Sequence, residues 1–229
     1  MPVITDLDVL YSLEPALINT AVPLFGGLHL QDDETGDCSA FTCQLADRAS
    51  RAGVQFHFDE EVTGWRQGGG AYRLLETSRN VYSYDALVVC AGSYTADMLL
   101  PLGIDIRSKL YPVKGYSLTV DIDAAERAPV STVMDEKYKV AITRLGNRIR
   151  IGGTAELSGF NRILRDGRRE TLATAVAELY PGAGNLEAAR FWTGLRPSTP
   201  TGVPVIGRLP GEQMGQFRPR DTGLDDGRR

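Results

Sequence analysis

One arginine of this sequence lies where its side chain would have a fixed direction. Arg196 follows Gly194-Leu195 and directly precedes Pro197, at the start of a turn-rich stretch of proline and glycine. Proline restricts the backbone torsions around it, and the planar guanidinium suits a two-point grip on a carboxylate. The spacing therefore indicates a site for small carboxylic acids such as amino acids. The alternative is an ordinary surface arginine in a loop.

The composition excludes some classes of partner. The 229 residues carry a formal net charge of -4, which gives no electrostatic case for nucleic acid or for an anionic membrane. No apolar run approaches the length of a transmembrane helix, and the start lacks a secretory signal pattern. We expect a cytoplasmic protein with room for one large domain or two small ones.

The cysteines and histidines do not form a recognisable ligand pattern. Cys38, Cys43 and Cys90 are too few and too odd in number for a disulfide framework. With only His29 and His57 as further soft ligands, no metal site is expected. The three cysteines are expected to be core or half-buried residues.

The first half alternates short strands and helices. Residues 24–30 predict a short strand, and the acidic run 32–37 begins a helix rather than forming a calcium loop, since it lacks the alternating ligand order. The helix is predicted over Ala40–Ala52, with Phe41, Leu45 and Ala49 on one face and Gly53 ending it. Val54–Phe58 alternates as a half-buried strand.

A small-residue turn follows the most apolar strand of this half. The glycine triplet 68–70 is predicted to be a hairpin turn between Trp65 and the strand Tyr72–Glu76. Ala86–Cys90 is a continuous apolar run typical of a strand buried on both faces. It leads through Ala91-Gly92-Ser93 into a helix over Tyr94–Leu100, a geometry that lets the backbone approach the phosphate or ribose of a cofactor.

The second half predicts an antiparallel sheet with one covering helix. A strand is expected over Leu110–Val120, followed by a hairpin of Lys139–Thr143 and Arg148–Gly152 around Gly146. The helix is predicted over Arg168–Tyr180, with an apolar face formed by Leu172, Val176 and Leu179. Residues 208–229 contain few apolar side chains and are expected to be a disordered tail. The predicted fold class is α+β.

Several long motifs in this order resemble one family. From about Leu13 to Gly207 the chain resembles the small catalytic subunit of bacterial D-amino acid dehydrogenase, within the glycine oxidase-like family of FAD-dependent amino-acid oxidoreductases. The resemblance is carried by Gly27–Leu30 with Asp33–Cys38, Tyr111–Thr119, Arg148–Glu156, Arg168–Leu172 and the motif around Arg196.

The resemblance implies roles for particular residues. Arg196 matches the arginine that holds the substrate carboxylate, and Tyr138 lies where relatives carry a substrate-lining aromatic. An aromatic packed on the rim of the sheet is the alternative for Tyr138. No side chain is assigned an acid–base catalytic role. The positions that match FAD-contacting residues are Val62, Ala91, Gly92 and Gly207.

The activity implied by the resemblance is oxidative deamination of D-amino acids in amino-acid catabolism. Hydride passes from Cα to FAD, and the imino acid is hydrolysed to a 2-oxo acid and ammonia. Electrons of this branch pass to the respiratory chain, which implies an acceptor there and a location that is cytoplasmic or peripheral to the inner membrane. A non-catalytic remnant that binds small carboxylates or a partner chain without flavin is the alternative.

The resemblance also implies a division of the chain and a truncation. Residues 31–105 and 191–207 would form a partial FAD-binding α/β portion, and residues 9–30 and 106–190 a mostly antiparallel substrate-binding sheet. The family begins with a Gly-x-Gly-x-x-Gly phosphate-binding turn, a pattern that occurs nowhere in the 229 residues, and it has a further C-terminal segment. We therefore expect a truncated member, with a second copy or a complementing chain as its partner.

Overall fold

The computed structural model describes residues 3–66 and 74–208. These residues form two compact units, one from residues 3–52 and 114–194 and the other from residues 53–66, 74–113 and 195–208. Their helices and strands are β1 (Val3–Ile4), α1 (Leu7–Leu13), β2 (Gly27–Leu28), α2 (Cys38–Arg51), β3 (Val62–Arg66), β4 (Leu74–Thr77), β5 (Val81–Ser83), α3 (Thr95–Leu99), β6 (Tyr111–Asp121), β7 (Thr132–Asp135), β8 (Val140–Leu145), β9 (Arg148–Glu156), α4 (Asp166–Leu179) and β10 (Arg190–Ser198).

The first unit is built on a five-stranded sheet in the order β10-β6-β9-β8-β7. β6 pairs antiparallel with β9, β9 with β8, and β8 with β7. Apolar side chains of alternate strand positions pack against one face of α4 because strand side chains alternate between the two sides of a sheet. The core contains Tyr116, Leu118, Val120, Val140, Ile142, Ile149, Ile151, Leu172, Ala175, Val176 and Leu179.

The main predictions for this unit are confirmed. The fold class is α+β, with an antiparallel sheet and a covering helix. The hairpin of β8 and β9 turns at Gly146, whose φ of 63° is a torsion that glycine adopts without steric cost. α4 buries the predicted residues Leu172, Val176 and Leu179.

The predicted start of α2 is also confirmed, but the predicted burial of the cysteines is wrong. The Asp37 carboxylate accepts from the backbone N–H groups of Ser39 and Ala40 at 3.0 Å each and so caps the helix. No residue of α2 is buried, so its apolar face is uncovered and Cys38 and Cys43 are exposed. Cys90 is exposed as well.

The second unit contains the small sheet β3-β4-β5, in which both pairs are antiparallel. This pairing confirms the predicted hairpin, whose glycines 68–70 lie outside the described residues, as do residues 209–229 of the predicted tail. The Trp65 indole N–H donates to the Met98 carbonyl at 3.0 Å and ties the sheet to α3. α3 confirms the helix predicted over Tyr94–Leu100.

Two predicted strands of this unit are absent from the described structure. Val54–Phe58 and Ala86–Cys90 form no strand, and their apolar side chains are largely exposed, Val88 to 67%. A strand is stabilised by hydrogen bonds to a neighbouring strand, and within the described residues neither segment has such a neighbour. Both segments have the apolar pattern of a strand, but within the described residues no neighbouring strand pairs with them.

The compact units divide the chain differently from the functional division expected from the sequence. Residues 31–52, expected with the FAD-binding portion, belong to the unit that contains the five-stranded sheet. The functional division stays a prediction. Within the described residues, no helix has the length and apolar character needed to cross a bilayer.

Candidate substrate and cofactor site

Arg196 lies on an exposed part of a strand rather than in a flexible loop. It is the seventh residue of β10, and both it and Pro197 are exposed. The strand conformation and the proline that follows restrict the backbone on both sides of the arginine. The guanidinium is therefore presented from a stiff segment, as a carboxylate-binding arginine must be.

The turn Ala91-Gly92-Ser93 lies against the segment that carries Arg196. Gly92 has φ of 55°, in the left-handed region that favours glycine. A Cβ atom at Gly92 would lie 4.0 Å from the Pro197 Cγ. The Oγ of Ser93 is buried and has no hydrogen-bond partner within the described residues. The structure thus brings the predicted flavin-contacting turn beside the predicted carboxylate-binding segment.

Val62 and Gly207 occupy different kinds of position. Val62 is the first residue of β3 and pairs with Thr77, and the register shifts between Val62 and Gly64. Because β3 is an edge strand of the small sheet, its outer backbone edge is open to a ligand, at least within residues 53–66 and 74–113. Gly207 is exposed, and a Cβ atom there would meet nothing within 4 Å, so packing does not require glycine.

A buried carboxylate supports the start of β3. Glu60 accepts hydrogen bonds from the Thr77 hydroxyl at 2.5 Å, the Tyr82 hydroxyl at 3.0 Å and the Asn80 amide at 3.2 Å. These donors, the Thr77 hydroxyl first, hold the pKa of Glu60 below its ordinary value. The network fixes the chain two residues before Val62.

Tyr138 belongs to the first unit and is half-buried in the turn before β8. Its hydroxyl donates to the Glu178 carboxylate on α4 at 3.0 Å, and the Lys137 ammonium lies 4.6 Å from the centre of its ring. Lys137 also donates to Glu178 at 2.8 Å. The hydroxyl therefore links the sheet to α4, which supports the rim-packing alternative, and a substrate-lining role stays a prediction.

Sequence reasoning missed a cluster of charged residues where β6 begins and β9 ends. Lys114 is fully buried, and its ammonium donates to the Ile163 carbonyl at 2.5 Å and lies 3.8 Å from Glu156 Oε1. The Tyr116 hydroxyl donates to Glu156 Oε2 at 3.0 Å. A lysine within the apolar strand 111–120 was the available signal, because an unpaired lysine is almost never fully buried.

The arginines of the next segment complete this cluster. Arg165 lies 3.3 Å and Arg168 3.9 Å from the Glu156 carboxylate. Burial alone would raise the pKa of Glu156. The opposing effect is larger: hydrogen bonds from the hydroxyls of Tyr116 and Ser158, together with the nearby cations, lower the pKa, so the net shift is downward. Glu156 is therefore held as a carboxylate among three cations.

The comparison of the sequence with known families gives one match. The profile of the family described as FAD dependent oxidoreductase matches residues 4–222. The chain belongs to this family. The match covers nearly the whole sequence, including both compact units, and the FAD dependence of the family agrees with the cofactor expected from the resemblance.

Curated relatives narrow the position of the chain within the FAD-dependent oxidoreductases. The D-amino acid dehydrogenase of Cereibacter sphaeroides is 53% identical over 205 residues, which is 90% of this chain and 47% of the relative. That of Agrobacterium fabrum is 50% identical over 204 residues, 89% of this chain and 48% of the relative. The chain therefore spans about half the length of these curated relatives.

Solved structures agree with the family assignment. Glycine oxidase from Geobacillus kaustophilus superimposes with a TM-score of 0.75 and 26% identity, covering 93% of this chain and 56% of the oxidase. Glycine oxidase from Bacillus cereus gives a TM-score of 0.73 at 22% identity, which supports the fold alone. The antiparallel sheet with its covering helix is thus a known part of this fold.

The residues present fit part of an FAD site. The orphaned Ser93 hydroxyl, the left-handed Gly92 and the open edge of β3 are suited to contacts with a polar cofactor. Ser93 can donate to a heteroatom, Gly92 permits close approach, and the β3 edge offers backbone N–H and C=O groups. A glycine-rich phosphate-binding turn is not among the 229 residues.

Proposed function

We propose that this chain is the substrate-binding portion of an FAD-dependent enzyme that deaminates D-amino acids oxidatively to 2-oxo acids and ammonia. The identity of about half of all aligned residues to D-amino acid dehydrogenases supports this most strongly. The position of Arg196 beside the Gly92 turn agrees with it, because one side would bind the substrate carboxylate and the other the cofactor.

The residues of this chain bind and orient the substrate in the proposed reaction. Arg196 holds the carboxylate of the amino acid by charge-assisted hydrogen bonds, which fixes Cα relative to the Gly92 turn. Ala91, Gly92 and Ser93 contact the cofactor on one side, and Val62 contacts it through its backbone. FAD, when bound, accepts the hydride that leaves Cα.

The electron acceptor and the location form a second part of the proposal. We propose that the electrons pass to an acceptor of the respiratory chain, so that the protein works at the surface of the inner membrane. A complementing polypeptide or a second copy of the chain would supply further cofactor contacts. The exposed apolar segments 54–58 and 86–90 of the second unit support such an association.

The visible absorption spectrum of the purified chain tests cofactor binding directly. After incubation with excess FAD and removal of the free cofactor, we expect retained bands at about 375 and 450 nm. Bleaching of these bands by D-alanine, but not by L-alanine, would support oxidation of D-amino acids. A colourless chain that still binds D-alanine would favour the non-catalytic alternative. A chain that binds neither FAD nor D-alanine would contradict both the catalytic proposal and the carboxylate-binding alternative.

Substitution of Arg196 tests the role that the proposal gives it. Arg196→Ala should weaken D-alanine binding about tenfold to a hundredfold, because two charge-assisted hydrogen bonds are lost. Arg196→Lys should recover only part of this, since an ammonium cannot form the two-point contact. Isothermal titration measures both, and Arg190→Ala, at the exposed start of the same strand, is the control expected to bind normally.

A further inference from the structure

The segment between β9 and α4 presents a cluster of apolar side chains to solvent. This segment, Leu157–Arg165, is called the apolar loop below. Leu157 is 77% exposed and Ile163 67%, and Phe160 and Leu164 are exposed as well. Four such side chains within eight residues form a concentrated apolar surface, which is a mark of an interaction site.

The apolar loop is held in place from below by the buried lysine. The Lys114 ammonium donates to the carbonyl of Ile163, the residue whose side chain points into solvent. Lys114 is in turn balanced by Glu156, the last residue of β9, which also binds Arg165 at the end of the loop. Both ends of the loop are therefore anchored to the sheet, and its apolar side chains are exposed from a supported backbone.

Part of the backbone of the apolar loop is hydrogen-bonded within the chain. The Asn161 N–H donates to the Ser158 carbonyl at 3.3 Å, and the Ile163 N–H donates to the Asn161 side chain at 2.8 Å. The Ile163 carbonyl accepts from the Lys114 ammonium. Hydrocarbon offers no hydrogen bonds, so a segment that enters it must satisfy its backbone internally. Within residues 3–66 and 74–208 the apolar segments 54–58 and 86–90 have no strand partner, and they are better suited to pairing with another strand.

Basic side chains flank these apolar ones. Residues 156–170 contain Arg162, Arg165, Arg168 and Arg169 against the acids Glu156, Asp166 and Glu170. Arg162 and Arg165 are exposed, although Arg165 also contacts Glu156. The net charge of -4 belongs to the whole chain, whereas charges that lie further from a lipid surface than about 8 Å are largely screened at physiological salt. The local charge is positive and complements anionic lipid headgroups.

We propose that the apolar loop inserts into an anionic lipid surface, with Leu157, Phe160, Ile163 and Leu164 among the acyl chains and Arg162 and Arg165 at the headgroups. This identifies the contact surface for the membrane location in the proposed function and rests on that part of it. An exposed apolar connection with flanking arginines suits an interfacial anchor.

Vesicle binding tests this inference with the complete chain. Sedimentation with vesicles of phosphatidylcholine containing about one third phosphatidylglycerol should remove the chain from solution. Ile163→Ser/Leu164→Ser should weaken the partition about tenfold or more. The control Ile18→Ser/Phe25→Ser removes two side chains that are 67% and 87% exposed in the same unit, and it should bind as the natural chain does.

Electrostatics supplies a second readout. Arg162→Gln, pure phosphatidylcholine vesicles and an increase in salt from about 0.05 to about 0.5 M should each weaken binding. The inference is overturned if the natural chain does not bind the anionic vesicles, or if both double variants lose binding equally. It is also overturned if Ile163→Ser/Leu164→Ser abolishes self-association in sedimentation velocity without changing the partition, because the loop would then join two copies of the chain.

The outcome is separable from that of the proposed catalysis. Vesicle binding requires no flavin and is measured without amino acid. A chain that binds vesicles but remains colourless with FAD, both alone and with the complementing part of the relative, supports the lipid surface and contradicts the catalytic proposal. A chain that retains FAD but does not bind vesicles supports the catalytic proposal and contradicts the lipid surface.

Discussion

The hydroxyl of Tyr138, a residue expected to line the substrate site, forms a structural contact with Glu178. The Tyr138 hydroxyl and the Lys137 ammonium both donate to the Glu178 carboxylate. The ammonium is the larger cause, and together they hold the pKa of Glu178 below its ordinary value of 4.5. The carboxylate is thus bound more tightly in the folded chain than in the unfolded one.

The pH dependence of stability follows from the direction of that shift. A depressed pKa means that Glu178 stabilises the fold above about pH 4.5, and this contribution is lost as the pH falls through the lower folded value. The melting temperature of Glu178→Gln should therefore be lower than that of the natural chain at pH 7. The difference between the two melting temperatures should narrow as the pH approaches 3. Differential scanning calorimetry across this range measures it.

A surface carboxylate provides the control for this measurement. Glu136 pairs with Lys139 where both side chains are 73% exposed, and such a pair contributes little to stability. Glu136→Gln should change the melting temperature little at any of these pH values. Equal effects of Glu136→Gln and Glu178→Gln would contradict the structural role of the contact with Tyr138.

Single residues were predictable from the sequence where the backbone limits them, and unpredictable where only tertiary contacts define them. The proline after Arg196 and the small residues around Gly92 marked two positions whose backbone is restricted in the structure. Lys114 and Glu156 are 42 positions apart in the sequence, so only the pairing of β6 with β9 could bring them together. Their partnership has no local signature.

At the scale of elements, β9 contains an irregularity that places Glu156. Lys114 pairs with Glu156 and Tyr116 with Gly153, so β9 has one residue more than β6 between these pairs. This is a β-bulge, and Thr154 within it has φ of 61°, which is strained for a β-branched residue. The bulge turns the end of β9 so that the Glu156 carboxylate meets both Lys114 and Tyr116.

Removal of the buried lysine should destabilise this end of the sheet. Lys114→Met deletes the donor to the Ile163 carbonyl and the buried cation that lies 3.8 Å from Glu156. Breaking a buried charge pair typically costs about 3 to 5 kcal/mol. Urea unfolding followed by circular dichroism should show a clearly lower midpoint.

Lys137→Met is the matched control for that experiment. Lys137 also pairs with a glutamate, but its side chain is 60% exposed, and exposed pairs contribute about 1 kcal/mol or less. A midpoint for Lys114→Met no lower than that of Lys137→Met would show that the buried pair does not anchor the apolar loop.

Whether the sequence predicted an element correctly depended on the source of its stability. The β8–β9 hairpin, α2 and α4 have local signals, namely a turn glycine, an aspartate cap and an apolar face at helical spacing. Ala86–Cys90 has the composition of a buried strand but no neighbouring strand within the described residues. Strand formation depends on a partner distant in sequence, which periodicity alone does not reveal.

At the scale of the whole molecule, many apolar side chains are exposed, and three groups of them are candidates for contact with lipid or with further polypeptide. These are the apolar face of α2, the segments 54–58 and 86–90, and the apolar loop. α2 contains Cys38 and Cys43 and the segment 86–90 contains Cys90, so natural thiols lie in or beside two of these three surfaces. The chain covers about half of each D-amino acid dehydrogenase it resembles, which fits the proposal that further polypeptide covers part of this surface.

Thiol reactivity should therefore distinguish the chain alone from the chain with a complementing polypeptide. Alone and folded, it should react rapidly with three equivalents of Ellman's reagent, because exposed thiols are accessible. The variant Cys38→Ser/Cys43→Ser keeps only Cys90. Its reaction should slow at least about tenfold when the unmatched part of the Cereibacter sphaeroides relative is added. That part is used as a purified or co-expressed polypeptide, and bovine serum albumin is the control. An unchanged rate at Cys90 would contradict strand pairing at residues 86–90, since an added strand there would cover the thiol or the backbone next to it.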